Sequence, residues 1–153
     1  MNISPNDVIQ ATWIVWLISW LAAARWSSRT ERRPNSRLET AYRLLTAIGA
    51  IFLFGLRPRW PATEVALWHA GPVAAWALVV TTISGFAFAW WARIALGRLW
   101  SSGVTRKVDH TIITTGPYRL VRHPIYSGII LAVLATAAMR GAVAGWAGAA
   151  LMM

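Results

Sequence analysis

The sequence has 153 residues, of which 57% are hydrophobic and only 13% are charged, and its formal net charge is +10. A soluble domain of this size has too much surface for its volume to hide so many apolar residues, so the composition indicates an integral membrane protein. The sequence contains no cysteine, which excludes disulfides, thiolate catalysis and cysteine-ligated zinc or iron–sulfur sites.

The basic residues lie beside the apolar runs and do not form a separate polar domain. In that setting arginines contact anionic lipid headgroups and orient the chain in the membrane. We therefore expect membrane lipids as partners and no binding of nucleic acid.

The alternation of apolar runs and polar turns predicts an all-α, polytopic membrane protein with four to five transmembrane helices in a single membrane domain. The first helix is expected at about residues 8–24. Asp7 precedes it and no Lys or Arg does, so we interpret it as a retained helix and not as a signal peptide. Trp13, Trp16 and Trp20 recur at helical spacing on one side, which predicts either a packing face, the interpretation we prefer, or a lipid-facing stripe.

The second helix is expected at about residues 38–56, because Ser36 is suited to be its N-cap with Glu39 three residues later. Two prolines after Leu56 forbid its continuation. The remaining helices are expected at about residues 67–100, 124–139 and 142–153.

Charge is distributed unevenly over the loops of this layout. The segments Arg25 to Arg43 and Arg93 to Arg122 fall on one side and hold 12 of the 15 Lys and Arg. By the positive-inside rule, the loop at residues 101–128 is cytoplasmic and the N-terminus lies outside.

The stretch from His110 to Gly128 reads HTIITTGPYRLVRHPIYSG and crowds polar, aromatic and turn-forming residues between apolar segments. Gly116, Pro117 and Tyr118 predict a turn, and Pro124 suits the first turn of the next helix. Two interpretations stay open from residue types alone. The stretch is either a ligand site for a flat aromatic base, a sugar and a carboxylate, or an interfacial loop. In the second case Arg119 and Arg122 contact lipid phosphates, the tyrosines belong to an aromatic belt, and His123 caps the helix.

The region from about residue 90 to residue 140 resembles the isoprenylcysteine carboxyl methyltransferase family and the related phospholipid methyltransferases. The matching elements are Leu96-Gly97-Arg98-Leu99-Trp100-Ser101, His110-Thr111-Ile112-Ile113, Gly116-Pro117-Tyr118 and Arg122-His123-Pro124-Ile125-Tyr126-Ser127-Gly128.

The resemblance implies transfer of the methyl group of S-adenosylmethionine, bound on the cytoplasmic side, to a lipophilic acceptor, with a carboxylate as the expected methyl acceptor. No metal is required, and no catalytic residue is assigned. Arg119 and Arg122 are the candidates for contact with the acceptor. By the same resemblance the cofactor-binding residues are His110, Thr111, Ile112, Ile113, Tyr118, His123, Pro124, Ile125 and Tyr126.

Members of the family continue past the fourth span into a C-terminal segment with a Glu pair and aromatic residues, which closes the cofactor pocket. The printed sequence stops at Met153. We therefore expect this chain, tested alone, to bind cofactor weakly and turn over little.

Three alternatives stay open. A phospholipid amine N-methyltransferase would use the same cofactor on a different acceptor. A non-catalytic membrane subunit would retain the loop without its chemistry. A membrane sterol reductase carries a related Arg-His-Pro-Asn-Tyr element, but Ile125 replaces its Asn here.

Overall fold

The computed structural model describes residues 3–23, 36–55, 65–97 and 115–153. A short 3-10 helix, Gly116–Arg119, precedes the fourth of its α-helices, and the described residues contain no strand beyond an isolated bridge between Ala66 and Ala142. The predicted all-α class is therefore confirmed for this part of the chain. The five α-helices are α1 (Pro5–Ala23), α2 (Ser36–Phe54), α3 (Pro72–Leu96), α4 (Pro124–Arg140) and α5 (Val143–Met152).

By length and hydropathy, α3 is the one described helix that could cross a membrane, while α4 and α5 are shorter apolar helices. The four to five transmembrane helices expected from the sequence therefore stay a prediction. Large apolar side chains nevertheless cover the outward faces of several helices, a surface typical of contact with lipid or a partner. Examples on α1, α2 and α3 are Ile14, Ile18, Leu45, Ile48, Val80 and Ile83.

The helices run alternately between two ends of a bundle. Ala23 and Arg93 meet at one end, where α4 also begins, and we call this the loop end. At the other end, the beginnings of α1 and α3 surround the last residues of α2 and α4, and we call this the opposite end. The helices α1 to α4 therefore each run between the two ends, and the described part of the stretch singled out in the sequence lies at the loop end.

The most extensive contact between helices joins α3 to α4, which run antiparallel. A Cβ atom at Gly85 would lie 2.6 Å from the carbonyl oxygen of Gly128, and one at Gly128 would collide with the carbonyl oxygen of Gly85. Ala89 and Ala132 flank this crossing. Small residues let two helix backbones approach closely, so dispersion contacts extend along both helices.

A second close contact joins α2 to α5. A Cβ atom at Gly148 would lie 2.5 Å from the carbonyl oxygen of Gly49 and 2.5 Å from the amide nitrogen of Leu53. Leu53 is 1% exposed and belongs to the central apolar cluster with Val133, Ala137 and Ala149. Through Leu53, the pair of α2 and α5 therefore packs into the same apolar cluster as α4.

The third helix is shorter than the expected 67–100 and extends from Pro72 to Leu96. Its start is delayed because the preceding backbone pairs with the α4–α5 turn: the N–H of Leu67 donates to the carbonyl oxygen of Gly141 at 2.6 Å. Pro72, which lacks an N–H, then occupies the first turn. Gly97, at φ +52°, ends the helix because only glycine adopts that conformation without strain.

The tryptophans of α1 pack inward, as their spacing predicts. The Trp13 ring makes edge contacts with Phe54 and Phe86, at centroid distances of 5.3 and 4.7 Å, and its indole N–H donates to the hydroxyl of Thr136 at 2.9 Å. Trp16 stacks on Phe86 at 4.7 Å. The stripe of aromatic rings therefore fastens α1 to α3.

We expect Gly128→Ala to destabilise the protein by about 2 kcal/mol, because the added methyl group overpacks the contact between α3 and α4. The matched control is Gly71→Ala, since a Cβ atom there meets nothing within 4 Å and its φ is −64°. Thermal unfolding of the detergent-purified variants measures the difference. Equal unfolding temperatures for the two variants would contradict the packing role of Gly128.

Candidate functional site

The turn at Gly116 to Arg119 lies against the last turns of α3. Gly116 adopts φ +61°, and a Cβ atom there would lie 3.7 Å from the indole nitrogen of Trp91 and 3.8 Å from Ala95. The carbonyl oxygen of Pro117 accepts hydrogen bonds from the N–H groups of the next residues, Leu120 at 3.1 Å and Val121 at 3.2 Å. There is room for a side chain at this position, so lack of space is not the reason for glycine. The positive φ is the reason, because glycine adopts that conformation without strain.

Two buried prolines hold the segment that follows this turn. Pro117 and Pro124 are both less than 2% exposed, whereas all the residues between them except the half-buried Tyr118 are exposed. Proline loses little conformational entropy on folding because its φ is already restricted. The prolines therefore anchor both ends of residues 118–123 and leave the middle at the surface, including both candidate acceptor residues, Arg119 and Arg122.

His123 and Tyr126 lie side by side at the start of α4. Their ring centroids are 6.4 Å apart in an edge orientation, and Tyr126 is 67% exposed. The carbonyl oxygen of His123 accepts hydrogen bonds from the Ser127 N–H at 3.0 Å and the Ser127 hydroxyl at 3.1 Å. His123 is the N-cap residue of α4, as the interfacial interpretation expects, although its side chain makes no cap hydrogen bond. The main chain takes that role because the residue before a proline is biased away from helical φ and ψ.

The first turn of α4 offers a ligand both side chains and main chain. The N–H groups of Ile125 and Tyr126 precede the first bond of the intrahelical series, which Ser127 makes. Pro124 is less than 2% exposed, so its part in this turn is to hold its neighbours in place. Ile125 is half-buried.

Arg93 lies beneath this site and is completely buried. Its Nη1 donates to the carbonyl oxygen of Gly97 at 2.8 Å, and its Nη2 donates to that of Ala23 at 2.9 Å. The guanidinium group therefore joins the end of α3 to the end of α1. Arg93 is not among the site residues expected from the sequence, although it is the one charged side chain in a helix of 25 residues. An ionisable residue within so apolar a helix is itself a signal of function.

Tyr118 faces Arg93 from the turn. Burial raises the pKa of the Tyr118 hydroxyl to about 12, while the positive charge of Arg93 acts in the opposite direction. The hydroxyl therefore keeps its proton at neutral pH, where it can donate and accept hydrogen bonds but cannot act as a general base.

The structure thus forms two groups from the candidate residues. Tyr118 lies on the buried side, within electrostatic range of Arg93, and His123 and Tyr126 form a ring contact on the exposed side. The candidates His110 to Ile113 lie outside the described residues. Among the residues that the structure describes, no group of three His, Cys, Asp or Glu is placed to hold a metal ion.

Comparison with known proteins assigns this arrangement to a family. The model of the isoprenylcysteine carboxyl methyltransferase (ICMT) family matches residues 77–152, about half of the chain, and this stretch includes most of α3, the turn and all of α4 and α5. No curated protein and no solved structure matches the chain. The chain therefore belongs to the isoprenylcysteine carboxyl methyltransferase family, a family of membrane methyltransferases.

Proposed function

We propose that this protein transfers the methyl group of S-adenosylmethionine to the carboxylate of a lipophilic acceptor at the loop end. The observation that carries the proposal is that the family match includes the basic and aromatic segment between Gly116 and Tyr126. That segment is held at the end of apolar helices, where a water-soluble cofactor and a membrane-bound acceptor can meet.

The cofactor site in this proposal consists of His110 to Ile113, Tyr118 and the residues from His123 to Tyr126. S-adenosylmethionine, when bound, supplies a methyl group that its sulfonium centre already activates. The exposed rings of His123 and Tyr126 are accessible to a flat base, and electron-rich aromatic rings also attract cations. The first-turn N–H groups of α4 favour a negative group, because a helix N-terminus carries partial positive charge.

The anchored turn supports this chemistry by restricting motion. Methyl transfer to a carboxylate needs a positioned and desolvated nucleophile more than it needs an acid or a base. Pro117 and Pro124 hold the segment at its two ends. Its side chains can therefore keep a fixed arrangement around two reactants.

The surroundings of the turn favour an acceptor that is both anionic and apolar. Arg119 and Arg122 place two exposed guanidinium groups on the segment, and guanidinium pairs well with carboxylate. On α3, Trp91 is 48% exposed beside Gly116, and Ile94 is 59% exposed. An acceptor whose tail lies along α3 can therefore present its carboxylate to the arginines.

We propose further that the protein crosses the membrane several times, with its loop end in the cytoplasm and its N-terminus outside. The surplus of Lys and Arg in the segments assigned to the loop end supports this orientation. The alternating directions of α1 to α4 in the bundle are compatible with it.

The cofactor site is tested by exchanging its exposed rings. We expect His123→Ala and Tyr126→Ala each to weaken S-adenosylmethionine binding about tenfold or more in calorimetry of the detergent-purified chain. Each variant has a matched control away from the site: His69→Ala for the first and Tyr42→Ala, which removes a ring that is 69% exposed, for the second. A similar loss of S-adenosylmethionine affinity in the control variants would contradict the site assignment.

The acceptor is tested with radiolabelled S-adenosylmethionine. An isoprenylated cysteine with a free carboxylate should become labelled, whereas the same compound as its methyl ester should not, because its oxygen nucleophile is blocked. Phosphatidylethanolamine is the amine acceptor to compare. Labelling of the amine and not of the carboxylate would replace our proposal with lipid N-methylation.

The orientation is tested with single introduced cysteines. The sequence contains no cysteine of its own, so labelling of each variant reports the accessibility of the introduced position alone. Leu120 is 66% exposed at the loop end, and Leu67 is 52% exposed at the opposite end. In intact cells a membrane-impermeant maleimide should label Leu67→Cys but reach Leu120→Cys only after the membrane is opened. The reverse pattern would overturn the orientation.

A further inference from the structure

A cavity of about 830 Å³ opens at the opposite end of the bundle from the candidate methyl-transfer site. It lies among the first turns of α1 and α3 and the last turns of α2 and α4. Nothing in the proposed methyl transfer uses it. Its lining includes Asn6, Gln10, Phe54, Trp76, Met139 and Arg140.

The position of Arg140 within this cavity is fixed by α2. Its Nη1 donates to the carbonyl oxygen of Phe52 at 2.6 Å. A Cβ atom at Gly55 would lie 2.8 Å from the same Nη1, so the guanidinium group occupies space that a side chain there would fill. A guanidinium group has five N–H donors, and the hydrogen bond to Phe52 is therefore compatible with further acceptors.

The lining combines a polar wall with an apolar one. Asn6 and Gln10 of α1 and His69, which precedes α3, contribute groups that can donate hydrogen bonds. Ile9, Leu53, Phe54 and Met139 contribute apolar surface. Among the described residues that line the cavity none is acidic, so the side chains present favour an anionic group next to an apolar chain.

The location favours a ligand from the bilayer over a soluble anion. Trp68 and Trp76 line the cavity while remaining 42% and 48% exposed, at the start of α3, the described helix that is long and apolar enough to cross a membrane. Tryptophan is enriched where a membrane meets water. The volume also lies within the range of pockets that hold whole small ligands, so it can admit a headgroup together with the beginning of its chains.

We propose that this cavity binds the anionic headgroup of one phospholipid from the leaflet at the opposite end, with Arg140 contacting the phosphate and Asn6 and Gln10 adding donors. The 25 residues of α3 separate this site from the loop end by roughly 37 Å at about 1.5 Å per residue. The bound lipid is therefore a second ligand, distinct from the methyl acceptor, and it fastens the ends of four helices together.

The test is titration of short-chain dioctanoyl phosphatidylglycerol into the detergent-purified chain, followed by calorimetry. We expect Arg140→Gln to weaken binding about tenfold, because it removes a charge-assisted hydrogen bond. Arg43→Gln is the matched control, since Arg43 is paired with Glu39 near the other end of α2. Equal affinity in the wild type and Arg140→Gln would overturn the proposal, as would an equal loss in Arg43→Gln.

Because Arg140 also has a structural role at the end of α2, a second variant tests lipid binding without changing Arg140. The double substitution Asn6→Leu with Gln10→Leu leaves the bond between Arg140 and Phe52 intact and should weaken phosphatidylglycerol binding severalfold. Unchanged affinity in this variant would contradict the assigned headgroup position. Inorganic phosphate should not bind at the same concentrations, and phosphatidylcholine should bind more weakly. Equal binding of inorganic phosphate would show a simple anion site and refute the lipid.

Discussion

The backbones of α3 and α4 approach each other so closely at Gly85 and Gly128 that neither position has room for a methyl group. This contact determines how the other parts are placed. It sets the start of α4 beside the end of α3, and the connecting turn must therefore fold back across Trp91 and Ala95. Gly128 is also the last residue of the Arg-His-Pro-Ile-Tyr-Ser-Gly motif, and the structure gives it a packing role.

The candidate site combines rigidity below with exposure above. Buried prolines hold both ends of the exposed segment, and Arg93 holds two helix ends together beneath Tyr118. A buried guanidinium group is costly unless its donors are satisfied, and here backbone carbonyl groups at two helix ends accept from it. The same residue therefore stabilises the end of the bundle and sets the electrostatic environment of the site.

The two ends of the bundle carry different chemistry, although arginine is important at both. At the loop end Arg119 and Arg122 are exposed on an anchored turn, which suits reactants that bind and dissociate in each reaction cycle. At the opposite end Arg140 is half-buried and tied to the carbonyl oxygen of Phe52 inside a cavity. An immobilised cation in a partly apolar cavity suits a ligand that remains bound.

The sequence by itself determined the helical class, the placing of the α1 tryptophans on one side of their helix and the stretch that carries the family motif. These follow from local signals: apolar periodicity, turn residues and a compact motif. Only the tertiary structure decided that Arg93 lies under Tyr118, that Pro124 is buried while Tyr126 is exposed, and that Leu67 pairs with Gly141 and shortens α3. Each of these depends on contacts between residues far apart in the chain, where neighbouring backbone and burial override local propensity.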